Sequence, residues 1–324
     1  MRIALTAAAL ALLPTAAHAD WTHKDSGIAI ADTVGGMARG AERDLTNGEK
    51  ADVYVQYGTD AEPVTVYVYR SSHPNPALWF DRTRAAMISR LSGVDAARPP
   101  RPITLGGSPT ANGLRQDFTL ANDGPWTATS VALAQAGEWM VKVRVTSQTL
   151  DQAGVAAKME AMLGALRFAR PVTAALPLVV PAACPAALAA TGRPDAKQAR
   201  VAAGSVYGAV AIVDARQGGN GLAGEPAKWC RDDVGALSKA ITLYHRIDGT
   251  AWTALIGDAG ITANAYALDA AVGGGGAVFF IRTGAAQLAM TYDALPSFEA
   301  GLSAVMPLIS GKSQPLASIS ATPR

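Results

Sequence analysis

Residues 70–81 place a hydroxyl, an imidazole and a carboxylate within reach of one another along the chain: Arg70-Ser71-Ser72-His73-Pro74, followed by Asp81. A nucleophile, a base and a group that orients the base are the minimum for covalent hydrolysis. One reading is therefore an exported hydrolase with a non-standard site at Ser72, His73 and Asp81. The same stretch supports a different reading, a ligand-binding rim formed by Tyr67, Tyr69, Arg70, His73 and Trp79. Its rings offer flat apolar faces and its polar tips offer orientation. Against both stands the plainer case that a loop histidine beside proline is merely solvated. Of the four histidines, His18 and His23 lie near the N-terminus. His245 sits in the alternating run Tyr244-His-Arg-Ile-Asp248 and reads as a structural or surface residue.

Other chemistry is not spelled out. The chain contains no G-x-S-x-G, S-x-x-K, H-E-x-x-H or G-x-x-x-x-G-K-[ST] sequence. The spacing of Cys184 and Cys230 does not make a zinc pattern, so neither a metal nor a cofactor is expected. The glycine run 273–276 leads into a strand pattern, not a helix, and so lacks the helix N-terminus that a phosphate site uses.

The elements that must position these residues are legible from periodicity. Ala51–Tyr57 and Val64–Arg70 form a hairpin with Val53, Val55, Val66 and Val68 on one face. Pairing Tyr57 with Val64 puts Tyr54 opposite Tyr67, with Tyr69 further along, either as ordinary cross-strand aromatic pairs or as a tyrosine-lined binding face. Asn75-Pro76 is an N-cap followed by a first-turn proline, opening a helix to about Leu91. Its stripe is Phe80, Met87, Ile88 and Leu91, and Arg84 within it must snorkel or meet a carboxylate. Ala97–Gly107 reads as a polyproline-like connector and Leu114–Leu120 as a strand.

Residues 130–168 then read as a hairpin and a helix. Val141, Val143 and Val145 alternate with Lys142 and Arg144, predicting one buried and one wet face. Thr149 or Ser147 caps the helix, whose stripe is Val155, Met159, Met162, Leu163 and Leu166. The same outline recurs at 276–309, with Phe298, Leu302, Val305, Met306 and Ile309 on the helix. Strands are also expected at 205–214, 240–246, 251–256 and 261–268, with a glycine-rich loop at 217–224.

The N-terminus carries Arg2, an apolar run from Ile3 to Leu13, and Ala17-His18-Ala19 before Asp20. This is the layout of a cleavable secretory signal, cut after Ala19, and the run is too short to span a bilayer. The expected location is the periplasm. In that oxidising setting the two cysteines allow one pairing, Cys184–Cys230, against the alternative of two buried thiols. The apolar segment 172–190 carries Pro177, Pro181 and Pro185, which argue for a linker over a membrane helix. No transmembrane segment is expected in the mature protein.

Hydrophobic residues make up 49% and charged residues 17%, with a formal charge of +2. That composition is globular, and without a basic block no nucleic-acid surface is indicated. The expected fold class is α+β, in two domains, each an antiparallel sheet carrying a C-terminal hairpin-plus-helix unit. The boundaries are a signal peptide at 1–19, a first domain at 20–170 and a proline-rich linker at 171–183. A second domain with the disulfide follows at 184–310, then a disordered tail at 311–324.

The valine hairpin at 52–70, the Trp79-Phe80 helix and the closing run Trp139-Met-Val-Lys-Val-Arg-Val with its helix together resemble the PsbP-like α/β/α sandwich over residues 20–170. That resemblance implies a fold and an accessory or ligand-binding tendency, with no catalytic residues to transfer. The sequence thus points first to a non-catalytic periplasmic accessory or binding protein. Its partner, an envelope protein or a small ligand, is unidentified. The exported hydrolase is the alternative.

Overall fold

The computed structural model describes residues 20–46, 52–91, 93–95, 98–121, 124–172, 178–195, 228–232, 240–257, 260–268, 274–282 and 285–320. The expected signal peptide, the strand-like run 205–214 and the glycine-rich loop 217–224 lie outside the described residues.

In chain order the first half runs β1 (Trp21–His23), β2 (Ile28–Ile30), β3 (Thr33–Val34), β4 (Met37–Asp44), β5 (Asp52–Thr59), β6 (Glu62–Arg70) and α1 (Pro76–Arg90). It continues through β7 (Val94–Asp95), β8 (Arg101–Ile103), β9 (Gly113–Leu120), β10 (Ala128–Ala136), β11 (Trp139–Ser147), α2 (Gln152–Ala165) and β12 (Arg167–Phe168). The second half runs β13 (Trp229–Asp232), β14 (Ile241–Arg246), β15 (Ala251–Ile256), β16 (Ile261–Ala267), β17 (Gly276–Arg282) and β18 (Ala285–Tyr292). It closes with α3 (Phe298–Ile309) and β19 (Ala317–Ser320).

Among the described residues these strands form three antiparallel sheets. A small one orders β1-β2-β12; a larger one orders β3-β4-β5-β6-β11-β10-β9-β7 with β8 also on β9; the third orders β13 through β19 consecutively. The expected register of the valine hairpin is found, with Tyr57 opposite Val64 and Tyr54 opposite Tyr67. Gly137, at φ 65°, begins the two-residue turn between β10 and β11. A side chain there would be strained, and glycine removes that cost.

The pleat sorts each strand between two layers. From the larger sheet, Val53, Val66, Val68, Val141, Val143 and Val145 enter one core with Val155, Met159 and Met162 of α2. The opposite face meets α1: Tyr69, Met140, Val131 and Phe118 pack with Leu78, Trp79 and Phe80. That same cluster takes in Trp229, Tyr244, Leu255, Phe279 and Ile281 of the third sheet. Intervening residues of that sheet, Leu243, Trp252, Val278 and Phe280, face Phe298, Leu302 and Val305 of α3. The layers therefore run α2, sheet, α1, sheet, α3.

Being central explains α1. Every residue from Pro76 to Thr83 is buried, so the helix is enclosed on all sides at its N-terminal end. Asn75 caps it by accepting the Ala77 N–H at 2.9 Å. Arg84 does meet a carboxylate, Asp81, at 3.5 Å. Ile88, expected in the buried stripe, is 41% exposed because the enclosure ends before the last turn.

Four expectations change. Lys142 is buried and Arg144 half-buried, because α1 covers the face of β11 that alternation alone marks as wet. The cap of α2 is Asp151, which accepts the Gly154 N–H at 2.8 Å, in place of Thr149 or Ser147. The connector at 97–107 contributes β8, paired with β9. In the stretch read as a tail, residues 317–320 form β19 on β18; an edge strand with open backbone groups recruits it without needing an amphipathic pattern.

Candidate functional site

The predicted rim lies where β6 ends and α1 begins, and most of it is sealed. Tyr69 is 1% exposed and Trp79 and His73 are 0% exposed. The Tyr69 and Trp79 rings meet edge-on at 5.9 Å between centroids. The Trp79 Nε1–H donates to the His73 carbonyl at 3.0 Å and to Ser71 Oγ at 3.1 Å. Trp229, from the third sheet, meets His73 at 5.5 Å. A Cβ built on Gly260 would lie 2.8 Å from the Arg70 carbonyl, so the third sheet approaches β6 at the backbone itself. Arg70 pairs with Glu138 across the neighbouring turn. Tyr67 and Arg70 are half-buried, and Tyr67 lines an opening.

The Ser72–His73–Asp81 trio is not assembled. His73 Nδ1 accepts the Asn75 N–H at 3.2 Å, which places the proton of the neutral ring on Nε2. Burial pushes the His73 pKa down from 6.5 to about 3. Ser72 Oγ and His73 Nε2 are buried without a hydrogen-bond partner. Asp81 turns instead to the third sheet: its carboxylate accepts the Tyr244 hydroxyl at 3.1 Å and lies 3.4 Å from Arg231. Burial raises the Asp81 pKa, with Arg231, Tyr244 and Arg84 acting against the rise. The Tyr244 hydroxyl also donates to the Leu78 carbonyl at 3.2 Å, and Arg82 donates to Gly257 O at 3.1 Å. This polar cluster joins α1 to the third sheet. Among the described residues no hydrogen bond links Ser72, His73 and Asp81.

Tyr67 lines a small cleft between α1 and the larger sheet, open to solvent at its mouth. From α1 come Thr83, Ala86, Met87 and Arg90; from β11 come Lys142 and Arg144. Lys142 Nζ lies 4.2 Å from the Tyr67 ring centroid, a cation–π geometry, and Tyr54 meets Tyr67 from the other side at 5.5 Å. Among the described residues, the lining brings together Arg90, Lys142 and Arg144. Thr83 is 4% exposed and its hydroxyl has no hydrogen-bond partner. Lys142 and Arg144 are the residues that sequence reasoning passed over. The signal was present, since Lys142 pairs with Tyr67 and Arg144 with Thr65 once β11 is set beside β6.

The predicted disulfide is present: Cys184 and Cys230 are joined, with Cα atoms 4.9 Å apart. Backbone bonds hold the two segments together, Cys184 N–H to Arg231 O at 2.9 Å and Arg231 N–H to Ala182 O at 2.7 Å. His245 faces Cys230 across the β13–β14 pair and is 5% exposed. No helix among the described residues is long and apolar enough to cross a membrane. Comparison with protein-family models, with curated proteins and with solved structures finds no match to this chain.

Proposed function

We propose that this is a non-catalytic accessory protein of the cell envelope that binds an anionic group in the Tyr67–Lys142 cleft. What supports the reading is that Arg90, Lys142 and Arg144 converge with Tyr67 on one cleft, around the buried Thr83 hydroxyl, which has no hydrogen-bond partner. Such a site favours negative charge, and its partly buried position limits screening by salt. Residues 20–170 and 184–310 are read as two units pinned through α1, the first PsbP-like. The disulfide fits the oxidising compartment that the signal sequence implies. The hydrolase alternative draws no support from a histidine held neutral by burial and a carboxylate engaged by Tyr244 and Arg231.

The test is calorimetric titration with inorganic phosphate and with citrate. Lys142→Met keeps the length of the stem and removes the charge; Arg144→Gln shortens and neutralises the second cation. The proposal expects saturable binding by the wild type, weaker at high salt and lost in both variants. Binding that survives both substitutions, or no binding of either anion, refutes the cleft as the site.

A further inference from the structure

A disulfide needs only packing around it, yet this one has a polar neighbourhood. The Cys230 sulfur lies 3.8 Å from both ring nitrogens of His245. His245 Nε2 lies 3.7 Å from Asp232 Oδ2. The ligand atoms of Cys184, Cys230 and His245 all fall within 4.8 Å of one another. Cys230 and His245 are buried, at 2% and 5% exposure, whereas Cys184 is half-exposed.

We propose that Cys184, Cys230 and His245 form a redox-gated site for one thiophilic divalent cation of the zinc class, closed as the disulfide and opened by reduction. His245 Nδ1 is engaged with the Arg246 carbonyl at 3.0 Å; as the donor there, it leaves the Nε2 lone pair for a metal. A backbone carbonyl holding the far nitrogen is the usual support for a ligating histidine. Two thiolates and an imidazole suit zinc, with bonds of about 2.3 Å to sulfur and about 2.0–2.1 Å to nitrogen. Tetrahedral angles then set sulfur and nitrogen about 3.6 Å apart; because the Cys230 sulfur is equally far from both ring nitrogens, the His245 ring must also turn to aim Nε2 at the shared cation. The two sulfurs must separate, and Cys184, the less buried of the pair, is the one with room to turn. The fourth position falls to water or to Asp232.

The gating step balances with a dithiol as reductant. One thiolate of the dithiol attacks the sulfur of Cys184, the less buried of the two cysteines, and the S–S bond breaks to release Cys230 as a thiolate beside His245. The second thiol of the reductant then attacks its own sulfur in the mixed disulfide and releases Cys184. The dithiol is oxidised to its cyclic disulfide, and the protein pair is reduced by two electrons to two thiols. Cation binding displaces the thiol protons to solvent. This site lies on the third sheet and does not depend on the anion cleft.

The experiment uses the full purified chain, reduced with a trialkylphosphine, which takes up the oxygen of a water as it becomes the phosphine oxide. Cobalt(II) alone is the probe, followed by displacement with zinc. The expected result is one cobalt per chain, with tetrahedral d–d bands and a thiolate charge-transfer band, and none in the oxidised protein. Reduced His245→Ala is expected to bind about tenfold more weakly or worse, with near-ultraviolet circular dichroism unchanged. Cys184→Ser, which does not disturb the histidine, is expected to lose the charge-transfer intensity and the affinity. No uptake by the reduced wild type, an octahedral spectrum, or equal uptake by either variant overturns the proposal. So does a reduced chain that loses its near-ultraviolet signal, because the site requires the folded β13–β14 pair.

Discussion

One part of the response of this protein to acid should come from His73. The ring is fully enclosed and neutral, with its pKa lowered from 6.5 to about 3 by burial. In the unfolded chain the ring takes up a proton below its ordinary pKa, while the folded chain does not. Stability contributed by the neutral ring is thus complete above pH 6.5 and is lost as pH falls from 6.5 towards 3. Each pH unit in that window costs about 1.4 kcal/mol, so about 3 kcal/mol should go between about pH 7.5 and about pH 4. Asp81 acts in the opposite sense, since its raised pKa makes the folded state bind the proton first. The remedy is a difference measurement. His73→Asn preserves an acceptor for the Asn75 N–H and removes the titrating ring. Urea unfolding of both proteins across that range isolates His73, because Asp81 and the other carboxylates contribute to both curves. The variant starts less stable because the smaller side chain leaves a void, but its loss with acid should be shallower by about 3 kcal/mol. Parallel curves for the two proteins refute the reasoning, as does titration near 6.5 of the one imidazole resonance that His73→Asn removes.

Gly301→Ala on α3, a change that favours an isolated helix by about 1 kcal/mol, should instead lower the melting temperature, because the new Cβ would sit 2.3 Å from the Trp252 ring. Asp81→Ala leaves Arg231 and Arg84 facing each other without their carboxylate. It should cost roughly 3–5 kcal/mol in urea unfolding, where an effect below 1 kcal/mol would mean that the cluster is solvated. Tyr244→Phe removes the donor to Asp81 and Leu78 with little change of shape. Its cost should be about 1–3 kcal/mol, the desolvation penalty of the partners it leaves. Replacing both cysteines by alanine opens a loop of sequence separation 46. It should remove about 4 kcal/mol by the chain-entropy estimate, and equal stability of the two proteins would show that the crosslink adds nothing.

Legibility followed the range of the interactions. The hairpin register, the Asn75 cap, the α2 stripe and the strands at 241–246, 251–256 and 261–267 are set by neighbours a few residues apart, and periodicity captures them. The disulfide was legible by arithmetic, since two cysteines permit one intramolecular pair. The candidate site was legible only as a set of residue types. Tyr67 sits at an opening as expected, whereas Tyr69, His73 and Trp79 are closed over by Trp229 and the backbone at Gly260. Lys142 and Arg144 alternate as a wet face does, and nothing local announces that α1 will cover them.

The sequence by itself determined the valine hairpin, the three helices and the central strands of the third sheet, though not β8 or β19. It also set which cysteine meets which. Tertiary structure alone decided that α1 is shared between two sheets, with Tyr244, Arg231 and Trp229 brought to residues some 150 positions earlier. The physical reason is that Leu78, Trp79 and Phe80, successive residues fanned around the helix, cannot all face one sheet, while the identity of the second covering surface depends on contacts too distant in the chain to leave a periodic trace. That closure turned a predicted open rim into a core, and left the cationic cleft beside Tyr67 as the part still facing solvent.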